Sequence, residues 1–284
     1  MYCSFFKFTE RPFNMTPDPR FLFMSRTHTE ALAHLLYGIR HRKGFVALVG
    51  EVGTGKTTLI HTLLDEIADD TRVAIVSGGS FTLGPFLRMV LDDLGVPYSG
   101  RSAADMMIHL KTFLIEQARQ GTNVALIIDE AQAMAPSLLE HVRMLSNMET
   151  SREKLMQIVL VGQLELGRIL SRPELRQLAQ RIGLRCRIDP LAPDEIARYV
   201  RHRLTVAGAG DREILTEEAL DIVSRHSGGI PRVANILCDG ALLDCYARSL
   251  HRVDAEVMNA TVREWEEAIT VDVPRVSMRA AAHL

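Results

Sequence analysis

Eight residues, Gly50-Glu51-Val52-Gly53-Thr54-Gly55-Lys56-Thr57, fit the spacing Gly-x-x-x-x-Gly-Lys-[Ser/Thr] at every fixed position. The chemistry of that spacing is capture of a phosphate chain. Glycines let the backbone wrap an anion so that its amide N–H groups point inward. A helix starting there adds its positive end. Lys56 places a point charge on the terminal phosphates of a nucleotide, and the Thr57 hydroxyl is a ligand for Mg²⁺. Thr58 continues the run, so Gly50 to Thr58 are the candidate phosphate contacts. An idle Gly-rich turn is the competing reading. The register of Lys-Thr-Thr, with an apolar segment before it and an amphipathic pattern after it, argues against that.

A second constellation follows. The apolar run Val124–Ile128 ends in Asp129-Glu130, so a buried strand would present two carboxylates at its edge. Asp129 is suited to hold Mg²⁺ through water, and Glu130 to orient or deprotonate an attacking water. Alone, such a pair is weak, because any strand edge facing solvent carries acids. After a phosphate loop it is strong, and the adjacent Glu130 favours hydrolysis over mere binding.

Three further features carry more than one reading each. Gln163, after Ile158–Gly162, is either a sensor of the γ-phosphate and the attacking water or an ordinary polar residue at a strand end. Arg168, Arg172, Arg176, Arg181, Arg185 and Arg187 form a dense basic stretch. A solvated face accounts for part of it, and a phosphate or nucleic-acid patch is the alternative. Arg181, just before a strand, is placed to reach a neighbouring subunit's ATP as an arginine finger. In Gly228-Gly229-Ile230-Pro231-Arg232, Pro231 opens a helix. Arg232 then senses the γ-phosphate if that region closes over the nucleotide, and is otherwise a surface charge.

The elements that must position these residues are legible from hydrophobic patterning. Apolar segments at Phe45–Val49, Arg72–Val76, Val124–Ile128, Gln157–Val161 and Leu184–Ile188 suit strands buried on both faces of a parallel sheet. Amphipathic helices lie between them, carried by Leu59 to Ile67 and by Phe86 to Leu94. Ser102 starts the next helix, and Ser137 is placed to cap the one after. Another helical pattern spans Pro173–Gln180. Strands alternating with helices imply a three-layer α/β domain. After Pro190 only helical patterns follow, at Asp194–Ala207, Glu217–His226, Pro231–Ser249 and Ala255–Ala268. The expected organisation is a core over residues 1–190, an all-helical lid over 191–268 and an irregular tail over 269–284. Seven of the 16 aromatic residues fall within the first 23 positions, and a buried strap against the core is the expected use. The sharper reading places Pro12 or Phe13 on a nucleotide base.

Composition excludes several classes. A balance of 33 basic and 35 acidic residues, net −2, rules out a globally basic nucleic-acid coat. Cys3, Cys186, Cys238 and Cys245 show no Cys-x-x-Cys spacing and suit thiols in a reducing compartment. The apolar runs are strand-sized, far short of the about 20 residues of a membrane helix, and charges interrupt the aromatic N-terminus. The expectation is a soluble cytoplasmic protein.

Taken together, these residues resemble AAA+ ATPases, and more narrowly those of the general secretion pathway protein A (ExeA) type. The carrying stretches are Phe13–Leu22, His34–Ile39, Gly50–Thr58, Asp129-Glu130-Ala131-Gln132, Val161-Gly162-Gln163 and Gly228–Arg232. The resemblance implies an αβα core with strand order 5-1-4-3-2, a helical lid, ATP and Mg²⁺ as cofactors, and nucleotide held between subunits of a homo-oligomer. It implies Gln163 as sensor 1, Arg181 as finger and Arg232 as sensor 2. Gln163 replaces the Asn or Thr of many AAA+ proteins, and Leu164 replaces the proline common after that glutamine. Secretion members continue into a membrane span and a peptidoglycan-binding region, whereas this chain stops. The implied role is therefore coupling ATP turnover to secretion, pilus or exopolysaccharide assembly through a membrane-bound partner, from the cytoplasm or the inner-membrane surface. Two other readings stand beside it. One is a nucleotide-gated DNA scaffold like transposition-regulator ATPases, supported by the arginine stretch and opposed by the net charge. The other is a clamp-loader-like adaptor, opposed by the intact Asp129-Glu130 pair.

Overall fold

The computed structural model describes residues 1–99, 102–150 and 153–271. The chain divides into two compact units, one of Thr16–Pro190 and one of Met1–Met15 together with the chain from Leu191 on. In order, the elements are α1 (Tyr2–Phe6), α2 (Arg26–Arg40), β1 (Phe45–Gly50), α3 (Lys56–Ile67), β2 (Thr71–Ser77), α4 (Leu83–Asp93), α5 (Ala103–Arg119), β3 (Asn123–Asp129), α6 (Pro136–Leu145), β4 (Gln157–Gly162), α7 (Leu164–Leu170), α8 (Arg176–Arg181), β5 (Ile182–Ile188), α9 (Pro193–Val206), α10 (Glu217–Ser227), α11 (Pro231–Ala247) and α12 (Ala255–Val271).

All five strands are parallel and lie in the order β2-β3-β4-β1-β5, which is the expected 5-1-4-3-2 read from the other edge. Side chains alternate across a strand, so β1 feeds two cores. Phe45 and Ala47 join Phe86, Leu87, Leu110, Leu126, Leu138 and Leu160 on one face. Val46 and Leu48 join Leu35, Ile39, Leu59, Leu63, Ile127 and Val159 on the other. Helices α2 and α3 cover the second face; α4 to α7 contribute to the first. The fold is thus the three-layer α/β sandwich of P-loop NTPases.

Strand position explains which segments read cleanly. Central β1, β3 and β4 are almost wholly buried, whereas the edge strands β2 and β5 alternate buried and exposed residues. Accordingly β5 starts at Ile182, two residues before the apolar run, because exposed Gly183 interrupts it. The edge of β2 is covered by Asp93 of α4, whose carboxylate accepts the Ile75 amide at 2.6 Å. Helix α6 starts at Pro136 with Ala135 before it, so Ser137 is not its cap. The fixed φ and missing N–H of proline suit a first helical position, and it outcompetes the serine one residue on. The pattern over Pro173–Gln180 divides into a short 3-10 turn, Pro173–Leu175, and α8. Ser102 does cap α5, accepting the Asp105 amide at 3.1 Å.

A polar network closes the lower end of the sheet. Gln157, fully buried at the start of β4, accepts the Gly44 amide at 2.9 Å and donates to Lys154 O at 3.2 Å. Asn123, at the start of β3, donates to Ile39 O at 2.6 Å. Every buried backbone group met in this way avoids the cost of a lost partner.

The helical unit differs from expectation at its N-terminal strap. Residues 1–15 belong to the unit of α9 to α12, whereas the sequence pattern places them in the core. Two arginines explain this. Arg203 of α9 is buried and donates from Nε to Pro12 O at 2.6 Å and from Nη2 to Asn14 O at 2.9 Å. Arg212 donates to the Phe6 and Lys7 carbonyls. Thr9 N–H donates to Ala207 O at 2.9 Å, and Phe5 stacks on His251 at 4.4 Å. Charged donors on backbone carbonyls are among the stronger hydrogen bonds. Helix α12 runs through Val271, so the expected tail begins later than 269, and residues 272–284 lie outside those described. The four cysteines are free; burial pushes the Cys186 thiol up to about 11 and Cys238 higher still, away from thiolate chemistry.

Replacing Arg203 with Met keeps the stem and removes the donors. We expect a loss of about 2–4 kcal/mol in thermal unfolding and faster tryptic cleavage at Lys7 and Arg11. Unchanged cleavage would show that Arg203 does not hold the strap.

Candidate functional site

Topology makes a crevice before any side chain is considered. β1 and β4 are neighbours, paired from Phe45↔Ile158 to Val49↔Gly162. The helix after β1, α3, packs on one face of the sheet, and the helix after β4, α7, on the other. Where successive connections leave in opposite directions, a crevice opens at the carboxyl ends of the strands. Residues 50–58, Asp129-Glu130 and Gln163 all follow carboxyl ends of β1, β3 and β4.

The loop after β1 has the backbone its sequence implies. Gly53 and Gly55 take φ of 80° and 94°, conformations that side chains rarely adopt. Gly50 packs so closely that a Cβ would stand 2.8 Å from Ile188 O. Helix α3 starts at Lys56 with no side-chain cap on its first amides and no acid in its first turn. Those amides and the positive helix end are therefore presented for an anion. Lys56 is buried, and its ammonium donates to Gly50 O at 3.0 Å and Glu51 O at 2.8 Å. Burial holds its pKa below the ordinary lysine value, against the opposing pull of Glu130, Asp129 and Glu51. Thr54 is buried, its hydroxyl donating to Glu51 O at 2.8 Å; Glu51, Val52 and Thr57 are exposed.

Opposite the loop, Thr57 Oγ1 donates to Asp129 Oδ2 at 3.3 Å. A hydroxyl and a carboxylate side by side are hard oxygen donors of the kind Mg²⁺ takes alongside phosphate oxygens, so the residues present fit a Mg-nucleotide. Glu130 has a left-handed backbone, φ 52°, which a non-glycine residue adopts at a cost. Its amide donates to Asp129 Oδ1 at 2.8 Å, and Gly78 N–H meets Asp129 O at 2.5 Å. A Cβ at Gly78 would collide with the Glu130 carbonyl, so glycine is required there. Glu130 Oε2 accepts from the amide of Gln163 at 3.3 Å and from the amide of Gln132. Gln132 Oε1 in turn accepts the Gln163 backbone N–H at 3.1 Å. Lys56, Thr57, Asp129, Glu130 and Gln163 are thus linked through direct contacts or shared neighbours.

Arg181 is not part of that cluster, and Arg232 belongs to the other unit. Arg181 precedes Ile182, which pairs with Phe45 at the opposite end of β1 from the phosphate loop. Six strand residues separate the two ends, about 20 Å. Its Nη1 donates to Ser146 Oγ at 2.8 Å and Asn147 Oδ1 at 2.5 Å. Arg232 is the second residue of α11, exposed in the helical unit. Of the remaining arginines, Arg168, Arg172 and Arg187 face Glu165, Glu174 and Asp189 at 3.9, 3.9 and 2.6 Å, and Arg185 donates to Ala179 O at 3.0 Å. Gln132, Gly78 and His28 were not assigned from sequence. Gln132 carried a signal in its position two residues after Glu130; Gly78 and His28 act through long-range packing that spacing does not reveal.

The chain is similar to several known proteins. A family model described as an AAA domain matches residues 39–170. General secretion pathway protein A of Aeromonas hydrophila is 42% identical over 254 residues, 89% of this chain and 46% of that protein. The chain thus spans about half the length of that relative. Among solved structures, the Aeropyrum pernix ORC2 protein in its ADPNP–ADP complexes matches with a TM-score of 0.69 at 19% identity, covering 90% of this chain and 71% of that one. Cdc6p of Pyrobaculum aerophilum matches with a TM-score of 0.70 at 18% identity, covering 93% and 74%. These two establish the fold. With the contiguous identity to the Aeromonas protein and the phosphate-loop cluster, the chain belongs to the AAA+ ATPase family, in its general secretion pathway protein A branch.

Proposed function

We propose that this chain binds ATP with Mg²⁺ and hydrolyses it, and that a homo-oligomer of it couples turnover to assembly or export at the cell envelope. The observation that carries the reading is the contact cluster at the β1/β4 crevice: Thr57 against Asp129, and Glu130 held by Gln163 and Gln132. Gly50 to Thr58 wrap the phosphates, with Lys56 on the terminal ones. Thr57 and Asp129 would hold Mg²⁺, which supplies charge neutralisation across the β- and γ-phosphates when bound. Glu130 is the base for the attacking water, and the amides of Gln163 and Gln132 aim its carboxylate. The envelope role is carried over from the Aeromonas relative's name. No helix among the described residues is long and apolar enough to cross a membrane. A membrane-bound partner is part of the same proposal, carried over with the envelope role. The DNA-scaffold reading has no observation behind it beyond the arginine stretch, in which Arg168, Arg172 and Arg187 stand beside carboxylates of their own chain.

Arg181 serves in trans. It stands too far from its own loop, and its anchored Nη1 leaves the rest of the guanidinium to meet a neighbour's nucleotide.

Glu130→Gln should retain ATP binding and lose about 10²–10⁴ in turnover, measured as phosphate release beside a fluorescent-nucleotide titration; Lys56→Ala should lose binding. Full turnover by Glu130→Gln would remove that residue as the base. Arg181→Ala should bind nucleotide normally and lose about 10³ in kcat. Mixing it with inactive Glu130→Gln should restore activity, because mixed interfaces bring an intact Glu130 to an intact Arg181. Absence of complementation would remove the finger.

A further inference from the structure

His28 lies outside every motif above, yet it is buried and touches the phosphate loop. Its Nε2 stands 2.9 Å from the Thr54 carbonyl oxygen, and its Nδ1 stands 2.6 Å from Ser25 Oγ. A carbonyl only accepts, so Nε2 carries the hydrogen and donates to Thr54. Ser25 is the N-cap of α2, and its Oγ also takes the His28 backbone N–H at 3.4 Å. The ring is thus fixed at both nitrogens, at the start of a helix 26 residues before its target.

The Thr54–Gly55 peptide is the one this contact controls. A trans peptide is planar, with its C=O and N–H pointing in opposite directions. Holding the Thr54 carbonyl against His28 aims the Gly55 N–H the other way, toward the anion side of the loop. Glycine on the far side of that peptide, at φ 94°, makes the peptide easy to flip. Two other carbonyls of the loop have local partners: Lys56 serves Gly50, and Lys56 with Thr54 Oγ1 serves Glu51. The Thr54 carbonyl is served by His28. A Cβ at Gly55 would sit 3.3 Å from His28 Nε2, so ring and glycine are also fitted by shape.

We propose that His28 is a positioning residue of the nucleotide site, a latch that sets the Thr54–Gly55 peptide so that the loop is organised for phosphate before ATP arrives. The inference rests on reading residues 50–58 as the phosphate loop. Preorganisation of this kind strengthens binding without touching the chemical step. It therefore separates KM from kcat.

The test uses a fluorescent ATP analogue with Mg²⁺, titrated into the full chain, with steady-state hydrolysis measured alongside. His28→Leu should weaken the analogue about tenfold and raise KM by the same factor, with kcat within about twofold. His28→Gln, whose terminal amide can donate to Thr54, should recover most of the affinity. Ser25→Ala, which frees the ring at Nδ1 and removes the cap of α2 but keeps the bond to Thr54, should give a smaller weakening in the same direction. Unchanged affinity in His28→Leu, equal loss in His28→Gln, or a fall in kcat at constant KM would overturn the latch. If His28→Leu does not fold, wild-type affinity in Ser25→Ala together with loss in His28→Gln overturns it. Lys56→Ala runs beside them as a control. Wild-type affinity there would sink the phosphate-loop reading itself, whereas loss there with none in His28→Leu sinks only the latch.

Discussion

A phosphate loop must turn its amide N–H groups toward one point, and the planarity of the peptide then turns its carbonyls into the protein. Buried carbonyls need donors. This constraint organises the site from behind. Lys56, Thr54 and His28 supply the donors, and Gly53 and Gly55 supply the left-handed turns. The anion face is left with an uncapped helix end. The second effect, the charge of Lys56, is attenuated by burial and supported by the nearby acids.

The same loop must also be held against its chemical partners, and here the sheet does the work. Placing β1 between β4 and β5 brings the loop beside Gln163, with Asp129 one strand further on. Burial of β1, β3 and β4 between two helical layers makes these ends rigid. Glu130 is the strained point, held in a left-handed backbone by close approach of Gly78 and by hydrogen bonds from two glutamine side chains. Strain at such a place is a cost the surrounding fold must offset.

Local spacing carried the phosphate loop, the Asp129-Glu130 pair and the three central strands, because each is written in consecutive residues or in one periodic run. What it did not carry depends on partners far along the chain. His28 meets Thr54 26 residues on, Arg203 meets Pro12 at a separation of 191, and neither leaves a periodic signal. Aromatic content implies that the strap is buried but names no partner; buried Arg203 and exposed Arg212 direct it to the helical unit. Edge strands read poorly because alternation is weaker evidence than a continuous apolar run, as the late start inferred for β5 illustrates. The arginine stretch looked like one surface from sequence, and ion pairs within the chain divide it.

Everything proposed above requires the β1/β4 crevice to hold a Mg-nucleotide with its phosphates on residues 50–58. A structure of the full chain with a non-hydrolysable ATP analogue and Mg²⁺ tests it most directly. The triphosphate should lie against the amides of Gly53 to Thr57, with the Thr57 hydroxyl turned from Asp129 to the ion and Glu130 facing the γ-phosphate. Phosphates bound elsewhere, or a Thr57–Asp129 contact kept intact with no ion beside it, would contradict it.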